Sequence, residues 1–270
     1  MFALSDYLAR IGLERRAGAH TLAEVHAAHV CSIPFEGFDA QMGITPLLSA
    51  DALAEKIVAG GRGGYCFEQN LLLKAALEAL GYTVEPYLAR VMLGGVVRPA
   101  THLALRVRGG PDGGDVEAER GWHADVGFGS GTLLEPLPWG PGSEHEQAGW
   151  RFRIVERGAQ WVLQTYDGGE WMDVYGFVPV PVPHADIEMS NWWVSTHPAS
   201  TFVTGMLVTR QWRDGRRLIL SDWGELALAE RTPATSAITP VAREQIPQLL
   251  KTRFDLPGFA LDGDARVIRA

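Results

Sequence analysis

The order of predicted elements along the 270-residue chain indicates an α+β fold. Amphipathic helical segments fill the first part, short strand-like segments follow from about Val84, and a mixed part begins near Ser190. Strand and helix patterns do not alternate, so a doubly wound parallel sheet is not predicted. We therefore expect three regions, which span residues 1–83, 84–189 and 190–270.

Four helices are predicted in the first region, and most have a recognisable start or end. Ser5 is a candidate N-cap for a short helix that ends at Gly12. Thr21 has capping-box spacing with Glu24 before the segment LAEVHAAHV. Ser49 is a candidate N-cap for DALAEKIVA, which should end at a pair of glycines. The fourth segment, FEQNLLLKAALEAL, is amphipathic and has a glycine just past its end.

Short segments rich in β-branched and aromatic residues predict the strands of the second region: YLARVML, HLALRVR, WHADVGF, WRFRIVE, QWVLQTY and WMDVYGF. Asp112-Gly113 and Asp167-Gly168 are hairpin signals. Residues 134–149 are rich in proline and glycine, and this composition predicts a loop.

The third region is predicted to combine strands with a helix. The segments FVTGMLVTRQW and RRLILSD flank Asp214-Gly215, which predicts another hairpin. Thr239-Pro240 predicts a helix start, with proline at the first position. Pro247 is then expected to break or kink that helix.

Composition excludes several classes of protein. Hydrophobic residues make up 46% of the chain and charged residues 21%, as in an ordinary globular protein. The net charge of −8 disfavours nucleic acid or an anionic membrane surface as a main partner. Two cysteines, Cys31 and Cys66, are too few for a disulfide framework or a four-cysteine zinc site. The sequence shows neither a signal-peptide pattern nor a membrane-spanning run, so we expect a cytoplasmic protein.

The segment RGGYCFEQN, from Arg62 to Asn70, is the most unusual local sequence in the chain. Two glycines allow a tight turn before the fourth helix, which places Cys66 in the first turn of that helix. Unpaired N–H groups and the positive end of the helix dipole favour a thiolate there, and the thiolate is the nucleophilic form of cysteine. The alternative is a buried cysteine that fills space. Cys31 has no such context and is interpreted as structural.

A thiol nucleophile needs a base, and two histidines are the main candidates. His102 begins the apolar alternating strand HLALRV, where an imidazole is out of place unless it faces a site. His123 lies two residues before Asp125 in WHADVGFG, so these two would share one strand face. Asp125 could orient a catalytic histidine, or it could cap a turn through its own side chain. From the residues alone, the choice between His102 and His123 stays open.

Metal and nucleotide patterns are weak. His26 and His29 could share a helix face, but no further ligand has suitable spacing, so two polar helix positions are the preferred interpretation. His197 precedes Pro198 and is interpreted as a turn residue. The phosphate-binding pattern GxxxxGK[ST] is also absent. Because the two helix histidines lack a further ligand, we predict no bound metal ion.

Together these motifs resemble the arylamine N-acetyltransferase family. The family's RGGxCxExN motif is complete as RGGYCFEQN, and its DVGFG motif is intact at residues 125–129. Its Thr-His pair stands at residues 101–102, and its STHPxSxF pattern stands at residues 195–202. The PFEN motif reads PFEG, because Gly37 replaces the asparagine. A long hairpin between the histidine and aspartate segments is interpreted as a local extension.

The resemblance implies both a fold and a chemistry. The fold would combine an N-terminal helical bundle, a central β-barrel and a C-terminal α/β lid. The chemistry would use a cysteine-protease-like Cys-His-Asp arrangement of Cys66, His102 and Asp125, which decides between the two histidines. The implied reaction transfers an acetyl group from acetyl-CoA, the acyl-donor substrate, to an aromatic amine or hydrazine with ping-pong kinetics.

Further residues of the matching motifs are expected near the site. Phe35, Phe128 and Phe202 would line a flat apolar pocket for an aryl ring, with core packing as the alternative role. Glu36 and Arg62 are charged residues in apolar or glycine-rich settings. We expect them to form a buried ion pair that fixes the PFEG loop against the RGG turn.

Other activities could use the same residues. An amide synthase of this fold would close a macrolactam from a tethered acyl thioester with the same cysteine. A thiol peptidase or transglutaminase-like enzyme would use the same triad, but it has no reason to share DVGFG and PFEG. A non-catalytic binding module is disfavoured because all three triad residues are present.

Overall fold

The computed structural model describes residues 1–13, 20–93, 98–110, 120–264 and 266–270. The helices in these ranges are α1 (Leu4–Arg10), α2 (Leu22–Ser32), α3 (Phe38–Gln41), α4 (Ala50–Leu53), α5 (Cys66–Ala79), α6 (His184–Thr196), α7 (Thr201–Thr204) and α8 (Ile246–Arg253). The strands are β1 (Phe35–Glu36), β2 (Tyr82–Val91), β3 (Ala100–Gly109), β4 (Trp122–Ala124), β5 (Leu137–Pro138), β6 (His145–Gln147), β7 (Trp150–Arg157), β8 (Gln160–Asp167), β9 (Glu170–Phe177), β10 (Leu207–Gln211), β11 (Arg217–Ser221), β12 (Ala227–Arg231), β13 (Ser236–Pro240), β14 (Phe259–Leu261) and β15 (Val267–Arg269). The predicted α+β class is confirmed.

The N-terminal helices follow their capping residues, with one exception. The Thr21 hydroxyl accepts the N–H of Glu24 at 3.2 Å, and the Glu24 carboxylate accepts the N–H of Thr21 at 3.0 Å. The Ser49 hydroxyl accepts a backbone N–H of α4 at 3.3 Å. Ser5 was the wrong N-cap, because α1 begins one residue before it and Ala3 occupies the cap position. Both strong caps thus set where their helices begin.

The third predicted helix changes its geometry halfway along. It is an α-helix over α4 and continues as a π-helix over Ala54–Ala59, until Gly60 ends it. A π-helical turn is wider than an α-helical turn and shifts the positions that follow it around the helix. Lys56 lies in this segment and extends its ammonium to buried carboxylates. Helix α5 then begins at Cys66 itself.

The strands form two main antiparallel sheets in the described part of the chain. Eight strands in the order β5-β4-β3-β2-β9-β8-β7-β6 curl into a nearly closed barrel. A five-stranded sheet has the order β1-β10-β11-β12-β13, so the short strand of the PFEG segment joins the C-terminal part of the molecule. The predicted hairpins at Asp167-Gly168 and Asp214-Gly215 connect β8 to β9 and β10 to β11.

Among the residues that the structure describes, three hydrophobic clusters make up the core. One lies between helices α1, α2 and α5 and strand β3, and it includes Cys66, Leu103 and Val126. A second fills the barrel, where Tyr175 is buried and Phe128 packs against its edge. The third joins α8 to the five-stranded sheet. The candidate site residues thus lie where the helical core meets the barrel. None of the described helices has the length and apolar character needed to cross a bilayer.

Some sequence predictions differ from the structure. Thr239-Pro240 lies at the end of β13 and pairs with β12, so the predicted helix start is wrong. Helix α8 begins at Ile246, and Pro247 lies in its first turn, where the missing N–H is tolerated. The predicted loop 134–149 contains β5 and β6. Helix α6 passes through residue 190, and the region boundary predicted there stays a prediction.

Residues 111–119, which include the hairpin signal Asp112-Gly113 and the middle of the predicted extension between the histidine and aspartate segments, lie outside the described residues.

Candidate active site

Three glycines let the segments of the site approach one another. A Cβ on Gly127 would lie 2.8 Å from Cα of Cys66, and one on Gly63 would lie 2.1 Å from the carbonyl oxygen of Pro34. A Cβ on Gly64 would lie 2.8 Å from the side chain of Glu68. None of the three has a positive φ. The sequence therefore needs glycine here for close contact between backbones and side chains, rather than for an unusual turn conformation.

His102 and Asp125 form the central polar contact of the site. Nε2 of His102 lies 2.7 Å from Oδ2 of Asp125, and both side chains are buried. The Cys66 thiol lies 3.6 Å from the carbonyl oxygen of Thr101, the residue before His102. The Cys66 side chain also interacts with the His102 ring. Because Asp125 occupies Nε2, Nδ1 is the ring nitrogen left to exchange a proton with Cys66.

The charges of this group stabilise one another. Burial alone would lower the pKa of His102, but the charge and hydrogen bond of Asp125, together with Cys66, raise it to about 10. Burial alone would raise the pKa of Asp125, but His102 and the hydrogen bonds hold it below its ordinary value. An imidazolium and a carboxylate therefore coexist near neutral pH.

Asp125 accepts four hydrogen bonds. Oδ2 accepts from His102 and from the hydroxyl of Tyr175 at 2.8 Å. Oδ1 accepts from the Asn70 amide at 2.9 Å and from the N–H of Gly127 at 2.9 Å. An ionised carboxylate only accepts, so four donors fix both its charge and its orientation. Asp125 follows β4 rather than lying on it, so its predicted strand position is wrong, but its side chain and that of His123 both contact the Tyr175 hydroxyl.

His123 lies behind Asp125 and is fully buried. Because the Tyr175 hydroxyl donates to Asp125, its oxygen accepts from Nε2 of His123 at 2.8 Å. Nδ1 of His123 then accepts from the hydroxyl of Tyr87. Burial lowers the pKa of His123 to about 3, so this ring stays neutral. Both of its nitrogens are occupied by tyrosines, which leaves neither for a base at Cys66.

The predicted aromatic residues form two separate ring contacts. The rings of Phe35 and Phe202 have centroids 5.9 Å apart, and Phe128 meets the His102 ring edge-on at 5.1 Å. A Cβ on Gly37 would lie 2.6 Å from Cδ1 of Phe202. Because glycine replaces asparagine in PFEG, the Phe202 ring has room to lie against residue 37.

Glu36 and Arg62 form the predicted ion pair, within a larger cluster. Oε1 of Glu36 accepts from Nη2 of Arg62 at 2.7 Å and from Nε at 3.1 Å. Nη1 of Arg62 also lies 2.6 Å from Asp39. Lys56 reaches Asp39 at 2.7 Å and Glu68 at 2.6 Å. The cluster joins the PFEG segment to the turn before α5.

His26 and His29 lie on helix α2, as the sequence predicted, and both are buried. One nitrogen of His26 accepts the N–H of Asp125 at 3.1 Å, and the other lies 2.9 Å from a backbone carbonyl oxygen. His29 lies between the Tyr7 hydroxyl at 2.8 Å and the Gln69 amide oxygen at 2.6 Å. Within the described ranges, no three His, Cys, Asp or Glu side chains are grouped as ligands for a metal ion.

The remaining candidates lie away from the site chemistry. Cys31 is half-buried, and burial raises the pKa of its thiol to about 11. His197 ends α6 and stacks on Trp193 at 4.7 Å. Neither residue interacts with Asp125 or Cys66 in the structure described.

Sequence reasoning missed several residues of the site. Asn70 lies four residues after Cys66, so helical spacing could have placed it on the same face of α5. Glu68 lies three residues after Tyr65, which is capping-box spacing, and its carboxylate accepts the N–H of Tyr65 at 3.1 Å. Tyr175 had no local signal, because it is 50 positions from Asp125.

Known proteins are similar to this chain over most of its length. A protein-family model described as N-acetyltransferase matches residues 19–259. An arylamine N-acetyltransferase of Mycolicibacterium smegmatis is 37% identical over 261 residues, which cover 94% of this chain and 91% of the relative. One of Escherichia coli (strain K12) is 32% identical over 253 residues, covering 90% of this chain and 87% of the relative.

The fold is also similar to solved structures. The structure of Mycobacterium marinum arylamine N-acetyltransferase in complex with CoA has a TM-score of 0.85 and 32% sequence identity. The similarity covers 94% of this chain and 93% of that one. Because the family model and these relatives span most of the sequence, the chain belongs to the arylamine N-acetyltransferase family of acyltransferase enzymes.

Proposed function

We propose that this enzyme transfers the acetyl group of acetyl-CoA to an aromatic amine or arylhydrazine through a thioester on Cys66. The observation that carries the proposal is the 2.7 Å contact of His102 with Asp125, beside a cysteine at the first position of α5. The relative from Mycobacterium marinum was solved in complex with CoA, which supports a CoA thioester as the acyl donor.

The first half-reaction loads the enzyme. The Cys66 thiolate attacks the carbonyl carbon of acetyl-CoA and forms a tetrahedral intermediate. Backbone N–H groups of the first turn of α5, including that of Phe67, would stabilise its oxyanion. The bond between the carbonyl carbon and the CoA sulfur then breaks, and that sulfur takes the proton from Nδ1 of His102. Acetyl-Cys66 and a neutral His102 remain.

The second half-reaction transfers the acetyl group to the amine. The amine nitrogen attacks the carbonyl carbon of acetyl-Cys66, and Nδ1 of His102 takes the amine proton. The carbon–sulfur bond breaks, which releases the amide and restores the thiolate and the imidazolium. Asp125 keeps the ring in one orientation and stabilises its charged form in both halves.

The acceptor is expected to be flat and apolar. The Phe35 and Phe202 rings form one wall, while Phe128 lies against His102, so an aryl ring could approach acetyl-Cys66 between them. Tyr65 and Trp223 also contact Phe202, with ring centroids 5.7 and 5.6 Å away. These contacts hold the Phe202 ring in place on the acceptor side.

A two-stage experiment tests the proposal. The enzyme is mixed with acetyl-CoA alone, and released CoA is measured before a panel of arylamines and arylhydrazines is added. We expect a burst of about one CoA per enzyme, followed by amine-dependent release. Steady-state plots at several amine concentrations should be parallel, as in a ping-pong reaction.

Failure to react with acetyl-CoA would contradict the proposal. If the enzyme instead formed an amide only from a longer tethered acyl thioester, the amide-synthase activity would replace it. Cleavage of peptides without acyl transfer would indicate the thiol peptidase activity.

A further inference from the structure

Lys56 brings one ammonium group to three carboxylates from two parts of the chain. Its Nζ lies 2.7 Å from Oδ2 of Asp39, 2.6 Å from Oε1 of Glu68 and 4.0 Å from Oε1 of Glu36. The Lys56 side chain is 15% exposed, while the carboxylates of Glu36 and Glu68 are buried. Arg62 pairs with Glu36 and Asp39. In the described residues Lys56 is therefore the cation that pairs with Glu68.

Glu68 connects this cluster to the nucleophile's helix. Its Oε2 accepts the N–H of Tyr65, the residue that immediately precedes Cys66. Gly64 packs so closely on Glu68 that an added Cβ would lie 2.9 Å from Oε2. The carboxylate therefore has little room to turn away from the first turn of α5. Whatever fixes the Glu68 carboxylate also fixes the backbone at Cys66.

The charges around Glu68 make the ionised form of its carboxylate dependent on Lys56. Burial raises the pKa of Glu68 to about 7, Lys56 opposes this rise, and the carboxylates of Glu36 and Asp39 add to it. The charged and titratable side chains that act on this carboxylate are those of Lys56, Glu36, Asp39 and Tyr65, and Arg62 pairs with Glu36 and Asp39 beside them. Without the ammonium, Glu68 would be a buried charge near two like charges.

We propose that Lys56 is a positioning residue for acetyl transfer, which keeps Glu68 as a paired carboxylate on the Tyr65 N–H and so holds the Cys66 turn in place. This inference rests on the proposed function of Cys66. Lys56 acts on Cys66 through Glu68 and the backbone of Tyr65, and it has no part in the covalent steps.

The Lys56→Met variant tests whether Lys56 acts through its charge or only by packing against its neighbours. At about pH 6, a protonated Glu68 still presents a carbonyl oxygen to the Tyr65 N–H, so acetylation of Cys66 should stay within about threefold of wild type. At about pH 9, the unpaired carboxylate ionises beside the carboxylates of Glu36 and Asp39, and their repulsion displaces it from the Tyr65 N–H and so displaces the Cys66 turn. Acetylation should then fall by about tenfold or more, because a displaced nucleophile loses its attack geometry.

The double variant Lys56→Met/Glu68→Gln provides the rescue. The introduced amide would keep an oxygen for the Tyr65 N–H but carry no charge, so the loss at about pH 9 should disappear. Lys56→Arg, which keeps the cation, should behave as wild type. The matched control is Lys74→Met, because Lys74 pairs with Glu78 at 2.7 Å on the exposed side of α5. Its pH profile should be unchanged.

Two readouts separate failure of this inference from failure of the proposed function. The first is single-turnover acetylation of Cys66 by acetyl-CoA, and the second is alkylation of Cys66 by iodoacetamide, which needs only the thiolate. A wild-type enzyme that is alkylated but never acetylated would overturn the proposed function. Equal losses at both pH values in Lys56→Met, or no rescue by Glu68→Gln, would overturn the role of Lys56.

If Lys56→Met does not fold, the soluble yields of the single and double variants test the role of Lys56 instead. The proposal then requires that Lys56→Met/Glu68→Gln does fold, because the unpaired charge is the cause of the defect. If neither variant folds, the Glu68 charge is not the cause, and the proposal is overturned.

Discussion

Asp125 is the residue on which the site depends most, because each of its two oxygens accepts two hydrogen bonds. An asparagine cannot reproduce this arrangement, since its NH2 group would face two donors whichever way the amide is turned. If the NH2 faces His102, Nε2 must become the acceptor and the ring proton moves to Nδ1. The base next to Cys66 is then lost.

Asp125→Asn should therefore slow the acetylation of Cys66 by about 10²–10⁴-fold. It should also lower the melting temperature, because a buried donor is left without an acceptor. Single-turnover acetylation and thermal unfolding measure the two effects. Asp173→Asn is the control, since Asp173 is a partly exposed carboxylate on β9. A rate within threefold of wild type would remove Asp125 from the catalytic group.

Gly37 controls the position of one ring. Because its added Cβ would lie 2.6 Å from Phe202, Gly37→Ala should displace that ring from Phe35. We expect a several-fold higher KM for arylamines, while single-turnover acetylation of Cys66 is unchanged. Gly142→Ala is the matched control, because its Cβ would meet no atom within 4 Å. An unchanged KM in Gly37→Ala would show that Phe202 does not shape the acceptor site.

At the scale of elements, ion pairs join the PFEG segment, the π-helical segment and the turn before α5. The carboxylate of Glu36 is fully buried, and its Oε1 accepts hydrogen bonds from two nitrogens of Arg62. Breaking such a pair leaves an uncompensated charge in the interior.

Arg62→Ala should therefore cost about 3–5 kcal/mol of unfolding free energy. Denaturant unfolding at equilibrium measures this loss. Arg253→Ala removes an exposed partner of Glu230 and should cost about 1 kcal/mol or less. If the two variants were equally stable, the buried pair would contribute nothing beyond a surface pair.

Local signals predicted the elements whose ends are set by their own sequence. The capping box at Thr21 and the glycine-preceded start of α5 are examples, because each cap is satisfied within a few residues. The helix predicted at Thr239-Pro240 failed because pairing with β12, some ten residues away in the chain, determines that segment. Lys56 was missed because a π-helical segment changes which side chains face inward.

At the scale of the whole molecule, the site is assembled from distant parts of the chain. Cys66 comes from a helix, His102 from β3, and Asp125 from the segment after β4. The sequence could indicate these residues by their motifs, and it offered His123 as an alternative base, but it could not indicate the tyrosines that lie behind Asp125. Tyr87 and Tyr175 have the pattern of ordinary strand positions until the barrel brings β2, β4 and β9 together.

The buried triad charges should make stability depend on pH. The pKa of His102 is raised from 6.5 to about 10, so its contribution is fully present below about pH 6.5 and is lost as pH rises through about 10. The pKa of Asp125 is lowered, so its contribution is lost only in acid. We expect the melting temperature to fall between about pH 7 and pH 10, and to fall less in His102→Gln. Parallel curves for the two proteins would contradict the raised pKa of His102.

The central claim is that the acetyl group is carried by Cys66, and peptide-level mass spectrometry tests it most directly. The enzyme is mixed with acetyl-CoA without an acceptor, quenched in acid and digested. We predict one acetyl group on the peptide that contains Cys66, its loss when an arylamine is added before quenching, and its absence in Cys66→Ala. Cys31→Ala should be acetylated as wild type. An acetyl group on any other residue that passes to the amine, or amine acetylation by Cys66→Ala, would contradict the account.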